Sequence, residues 1–278
     1  MKNAALIDCR PFADYTQGHL QAACSLPAAE LFARLHELPK RSQVLQLCGK
    51  AEDLAVARPF LQERGYTLLA DINWSAQLAE RLAQTDQLEV GAQSKQWWQA
   101  ASLLQRFVAE LMPQYHIQAS EGLDLACGAG RDLIYLAQQG WQMTGVDWSE
   151  DSIARVQQLA LSQDLTITTL LRDLETDTQP LPELKPESFG LICVARYLHR
   201  PLFPLIGELL KPGGVIIYQT FMQGCENTAI GRPRNPKFLL APNELAEQFQ
   251  GFGPLLDELE LLEDGRTVSA FIARKPWV

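Results

Sequence analysis

No two of the six cysteines form a C-x-x-C pair; they are scattered at Cys9, Cys24, Cys48, Cys127, Cys193 and Cys225. Zinc sites and disulfide scaffolds need paired or clustered cysteines, so no metal is expected and each cysteine is read by itself. Basic charge is also short. With 24 Lys and Arg against 33 Asp and Glu the formal net charge is −9, which repels a phosphate backbone and speaks against nucleic acid as a partner. Long apolar runs are missing too. Stretches such as 191–195 and 215–218 are interrupted within a few residues, far short of the roughly 20 that a membrane span needs. The opening segment 1–8 reaches Asp8 before an apolar leader core could form, so the expectation is a cytoplasmic protein with no membrane contact.

What is present suffices for packed cores: 47% of the 278 residues are hydrophobic and 21% charged. That length is more than one core usually serves, so two domains are expected. From Ala4 to Ala83, short apolar runs (4–7, 44–47, 66–69) read as buried strands, and 28–38 and 54–64 carry helical spacing, the second closed by Gly65. The polar stretch 84–94 reads as a linker, which puts the division near residue 90, with domains at 1–90 and 91–278. The first part holds 9 basic and 11 acidic residues and the second 15 and 22. Most of the acidity therefore belongs to the second domain.

The second part opens with an expected helix, Trp97 to Met112, stopped by Pro113. Strands are then expected at 122–126, 142–146, 166–171, 189–194 and 215–220, alternating with helices as in a parallel sheet. The end differs: 255–262 and 267–273 flank Glu263-Asp264-Gly265-Arg266, an antiparallel hairpin with Asp-Gly at its turn. At the first strand-to-helix turn stands Leu123-Asp124-Leu125-Ala126-Cys127-Gly128-Ala129-Gly130-Arg131-Asp132. A dinucleotide fingerprint would need a third glycine where Leu133 stands, so NAD is disfavoured.

With Val146-Asp147-Trp148-Ser149 ending the next strand, this stretch resembles the first two motifs of class I S-adenosylmethionine (SAM)-dependent methyltransferases. Arg172-Asp173-Leu174 matches the adenine-contacting motif, and Leu210-Lys211-Pro212-Gly213-Gly214 the segment before the fifth strand. The resemblance spans about 180 residues and implies a Rossmann-like, mostly parallel seven-stranded sheet with an antiparallel last strand. It also implies SAM as cofactor, with Asp147 accepting from both ribose hydroxyls and the glycine loop on the methionine moiety. The cofactor residues it implies are Asp124, Ala126, Gly128, Gly130, Asp132, Asp147, Trp148, Asp173, Leu174 and Ala195. Two positions depart from the pattern: Ala126 stands where another glycine is usual, and Gly190 where an aspartate opens the fourth strand.

Val194 to Pro201 and Pro233 to Leu240 resemble segments of the group that holds tellurite-resistance and thiopurine methyltransferase-like proteins. The first lies at the end of the fourth strand, where ligands of parallel sheets bind. No [Asn/Asp]-Pro-Pro-aromatic motif occurs there, so a base amine or glutamine amide is disfavoured as acceptor. Methyl transfer chiefly needs a nucleophile held close and aligned. If the small acceptor is already an anion, such as a thiolate or chalcogen anion, Arg196, Arg232 and Arg234 are candidate holders; if it is not, His199 is the candidate to remove its proton. The bland reading has Arg196 and His199 capping the next helix or pairing with its acids.

Leu6-Ile7-Asp8-Cys9-Arg10-Pro11, Tyr15, Gly18-His19-Leu20-Gln21-Ala22-Ala23 and Ser25-Leu26-Pro27 resemble the rhodanese domain. The resemblance gives Asp8, Arg10 and His19 framework roles and puts Cys48 where the family carries a persulfide. A loop before a helix would lower the thiol pKa. Here the loop reads Cys48-Gly49-Lys50-Ala51-Glu52-Asp53, and two acids oppose ionisation. The expectation is a degenerate rhodanese-like domain that docks a protein partner. Alternatives are sulfur transfer through Cys48 and a non-catalytic SAM sensor.

Overall fold

The computed structural model describes residues 4–176, 180–228, 230–262 and 264–277; residues 1–3 of the opening segment and Glu263 of the expected turn lie outside them. The chain divides into two compact units, residues 1–99 with 160–164 and residues 100–159 with 165–278.

The first unit contains β1 (Ala5–Asp8), α1 (Phe12–Gln17), β2 (His19–Leu20), β3 (Cys24–Ser25), β4 (Leu45–Gly49), α2 (Ala51–Glu63), β5 (Ile72–Asn73), α3 (Ala76–Gln84) and β6 (Leu88–Glu89). Four strands form a parallel sheet in the order β3-β1-β4-β5. Its core gathers Ile7, Leu26, Leu45, Leu47, Leu54 and Leu61, the apolar runs that read as strands and one face of a helix. Buried at the end of β1, Arg10 grips both Asp8 oxygens at 2.6 to 3.3 Å, donates to the Gly18 carbonyl and stacks 3.6 Å over Trp74. His19 stacks on Tyr15 and contacts its carbonyl.

Three local expectations need correction. Segment 28–38 is two 3₁₀ turns, Ala28–Glu30 and Leu35–Glu37, because buried Arg34 ties it to Glu30, Glu37 and the Ser25 carbonyl, and Leu38 before Pro39 is extended. Segment 66–69 contributes a single bridge, Leu45 to Leu68. Within the linker stretch, Leu88 and Glu89 pair antiparallel with Leu20 and His19.

The second unit contains α4 (Ser102–Arg106), a π turn (Phe107–Leu111), α5 (Met112–Gln114), β7 (Glu121–Leu125), α6 (Arg131–Gln138), β8 (Gln142–Asp147), α7 (Glu150–Ser162), β9 (Thr168–Leu171), β10 (Phe189–Ala195), α8 (Leu202–Leu209), β11 (Leu210–Gln219), α9 (Glu244–Gln248), β12 (Gly253–Leu261) and β13 (Thr267–Arg274). The seven strands lie in the order β12-β13-β11-β10-β7-β8-β9, and as expected the sheet is mostly parallel with an antiparallel last strand: β13 alone runs against the others. Alternate residues feed opposite faces. Ile192 and Val194 enter one core, Leu191 and Cys193 the other, as strands buried on both sides require. Gly190 is packed tightly, since a Cβ there would lie 2.2 Å from the Ser120 hydroxyl.

Pro113 does not stop the first helix, which begins at Ser102 rather than Trp97. The chain widens instead into the π turn, where the Met112 N–H donates to the Phe107 carbonyl. That accommodates a ring which removes one donor and crowds the carbonyl four residues back. No helix among the described residues is long and apolar enough to cross a membrane.

Candidate functional site

β7 and β10 are neighbours, and β7 sends its connection to one side while β10 turns toward β11 on the other, so the chain changes direction between them. Such a switch point leaves a crevice at the carboxyl ends of parallel strands. Two residues leaving these strands take left-handed backbone, Ala126 at φ 57° and Arg196 at φ 60°. Ala126 thus occupies a conformation in which glycine is at ease, as the departure from the glycine pattern implies.

The glycine loop follows. Gly128 (φ 53°) turns its open side to space, and a Cβ there would meet nothing within 4 Å. Gly130 (φ 79°) differs, because a Cβ would lie 2.6 Å from Val156 on α7. One glycine therefore leaves a cradle and the other permits packing. Asp147 anchors the loop: Oδ2 accepts from the Gly128 N–H at 2.8 Å and Oδ1 from the Ser149 N–H at 3.0 Å. Asp132, in the first turn of α6, accepts from the Ala101 N–H and from Arg131. Asp124 is fully buried in β7. Burial, then Asp132 and Asp147, push its carboxyl well above the usual range.

Further along, Trp148 is 73% exposed beside Asp147. Asp173 is exposed and caps its own turn by accepting from the Glu175 N–H, while Leu174 is buried. Ala195 ends β10 half-buried. The cofactor candidates thus collect along the ends of β7, β8, β9 and β10. The donor set suits SAM: an open glycine cradle and a cluster of carboxylates whose repulsion a positively charged ligand relieves.

Residues 123–214 match the methyltransferase-domain family model, and residues 1–77 match the rhodanese-like domain model. The chain joins a rhodanese-like domain to a class I SAM-dependent methyltransferase domain. An uncharacterized protein of Schizosaccharomyces pombe is 21% identical across 97% of this chain and 93% of its own length. The probable SAM-dependent methyltransferase TehB of Haemophilus influenzae is 28% identical over 46% of this chain and 44% of its own length. The chain therefore spans under half of that relative. A SAM-dependent methyltransferase structure from Clostridium acetobutylicum, 14% identical, covers 72% of this chain and 97% of its own with a TM-score of 0.51, a likeness of fold.

Arg196 of the methyltransferase domain lies with its guanidinium carbon 5.4 Å from the Phe221 ring centroid, and Arg266 lies 4.4 Å from the same ring. Arg266 is ion-paired with Asp264. Much of Arg196 reaches solvent, yet partial desolvation, then Arg131 and Arg266, pull its pKa below the ordinary arginine value, with Asp132 and Asp264 opposing. Among the described residues Arg196 has no carboxylate partner within 4 Å. It neither caps nor pairs with α8; nearby Arg200 pairs with Glu244, at the start of α9, at 2.5 Å.

Sequence reasoning missed Arg131 and Arg266. Arg131 carried a signal, a cation in the first turn of a helix, where the dipole disfavours it. Arg266 was hidden inside a turn motif. Arg234 donates to the Gly231 carbonyl within its own loop, and the backbone carbonyl of Arg232 accepts from Arg266. His199 lines a cavity of about 490 Å³ with Leu174, Pro182, Leu202 and Leu205, and Arg196 takes no part in it.

In the rhodanese-like domain Cys48 lies inside β4, paired with Asp8 and Ile72, with no exposed surface. Only Lys50 separates β4 from α2. The Lys50 N–H donates to the Asp53 carboxylate at 3.0 Å, and the Lys50 ammonium is bound to Asp14 at 2.6 Å. Ionisation of the thiol is opposed, as expected, but not by the two loop acids. Burial, then Asp8, push Cys48 up to about 12, against the opposing pull of Arg10. Among the described residues no group of three His, Cys, Asp or Glu could hold a metal.

Proposed function

We propose that the chain methylates a small-molecule acceptor bearing negative charge, a thiol or chalcogen anion, with SAM held along the ends of β7, β8 and β10. The division between the domains is taken near residue 90. The observation that carries the anionic acceptor is Arg196: a solvent-reaching cation without a carboxylate partner among the described residues, at the end of the central strand. Its neighbours Arg131 and Arg266 are paired with Asp132 and Asp264, which leaves Arg196 as the cation whose charge a bound anion would meet.

When bound, the cofactor supplies an electrophilic methyl group on a sulfonium. Asp147 holds the ribose with the lone pairs that the Gly128 and Ser149 amides leave free. Gly128 and Gly130 give backbone access to the methionine moiety, with Ala126, Asp124 and Asp132 shaping the loop. Trp148, Asp173, Leu174 and Ala195 bound the adenine. Arg196 holds and orients the acceptor anion, which needs no base, and His199, in a cavity that Arg196 does not line, has no part in this step.

The rhodanese-like domain is degenerate in this reading and docks a protein partner, because a thiol of raised pKa without an open loop is a poor persulfide carrier.

Titration calorimetry of the full chain with SAM tests the proposal, with one-site binding expected. Asp147→Ala weakens it by roughly a hundredfold, two hydrogen bonds to a charged group being lost. Absence of binding by the intact chain overturns it. On a panel of thiols and chalcogen anions, Arg196→Gln lowers kcat/KM about tenfold or more.

A further inference from the structure

Tyr197 follows Arg196 just past the end of β10, and its hydroxyl oxygen is buried without a hydrogen-bond partner among the described residues. The ring packs against the apolar cluster that holds Val146, Leu174 and Val194, so swinging the phenol into solvent would forfeit that packing. Burial, then the carboxylates of Glu175, Asp173 and Asp147, push its pKa above the ordinary tyrosine value and keep it a neutral donor. Glu175 is near but does not meet the geometry of a hydrogen bond. Tyr218, by contrast, shares the same cluster and contacts the His199 backbone.

A buried hydroxyl left unmet is costly in a folded protein, and in functional clefts the missing partner is commonly a ligand. The carboxylates around this one include Asp147 and Asp173, which in the proposed SAM-dependent reading face the adenosine half of the cofactor. We infer that Tyr197 is a cofactor contact whose hydroxyl donates a hydrogen bond to an acceptor on the adenosine half of SAM. This rests on the SAM-dependent reading and adds a residue that none of the linked motifs supplies.

The inference makes an unusual pair of demands on Tyr197→Phe. With no bond to lose in the unliganded protein, the variant melts at the same temperature as the parent or higher. With one bond to lose in the complex, it binds SAM and S-adenosylhomocysteine about threefold to tenfold more weakly. Calorimetry and thermal melting of the full chain read both. 5′-Methylthioadenosine, which lacks the amino-acid end, suffers the same loss; if it binds both proteins equally while SAM does not, the contact is not with adenosine and the inference falls. A lowered melting temperature with unchanged SAM affinity identifies a structural hydroxyl and also overturns it. Failure of the intact chain to bind SAM overturns the activity reading and this inference together, whereas intact binding with an unaltered Tyr197→Phe affinity overturns the inference alone.

Discussion

Both units build the same device, a parallel strand that runs through a short turn into a helix, and they treat it in opposite ways. From β7 to α6 the turn is five residues, and Gly128 faces open space. From β4 to α2 it is the single residue Lys50, and a Cβ on Gly49 would lie 3.2 Å from Asp53. The Asp53 carboxylate takes the Lys50 N–H that such a turn would offer a ligand. The open turn claims amides too, the Gly128 N–H going to Asp147, so what separates a binding cradle from a helix cap here is the space left over Gly128.

The contrast can be broken most severely through the buried pair beside the closed turn. Asp8→Ala leaves the Arg10 guanidinium buried without its carboxylate, at a cost of about 3 to 5 kcal/mol to the rhodanese-like unit. Calorimetric unfolding should show that loss while SAM titration of the full chain is unchanged; a parallel fall in SAM affinity would mean the two units are not separable. The next effect is chemical. A Cys48 pKa near 12 rather than 9.0 means about a thousandfold less thiolate at pH 8, so native Cys48 resists iodoacetamide and the chain forms no thiocyanate from thiosulfate and cyanide. Because the folded pKa is the higher one, the stability gained by keeping Cys48 neutral is present below pH 9 and lost as pH rises toward 12. Melting temperatures across that range read it.

On the open side, Gly128→Val fills the cradle at a left-handed φ, and SAM affinity falls by roughly thirtyfold or more while backbone strain costs about 1 to 2 kcal/mol. Circular dichroism separates loss of binding from loss of fold. The smallest effect has the opposite sign. Ala126→Gly relieves a left-handed alanine and stabilises the methyltransferase domain by about 0.5 to 1 kcal/mol, seen as a raised melting temperature.

The sheet of the second unit was legible because its strands are apolar on both faces and its hairpin carries Asp-Gly; both signals are local. The first unit was less so. Segment 28–38 has helical spacing, but the long-range hold of Arg34 on the Ser25 carbonyl decides its shape. The π turn follows from Pro113 in a helix whose neighbours favour continuing it, a balance that spacing does not register. In the site, Asp147 and the glycines announce themselves through fixed distances along the chain. Arg266 does not, since it reaches the Phe221 ring only after β12 and β13 have folded back. Asp53 was visible as an acid near Cys48, and its seat in the turn, on the Lys50 N–H, required the length of that turn.

The terminal hairpin closes the sheet with a bare margin. β12 is outermost, and its free backbone edge is a template on which another chain could deposit a strand. Asp257, Glu258 and Glu260 lie along it among the exposed Leu259 and Leu261. A second copy laid antiparallel against this margin would bring carboxylates against carboxylates, so the apolar side chains that invite fibrous growth are guarded by charges that refuse it. Colloidal stability in this protein is thus concentrated in one strand, and replacing those three acids is the change under which aggregation should begin there.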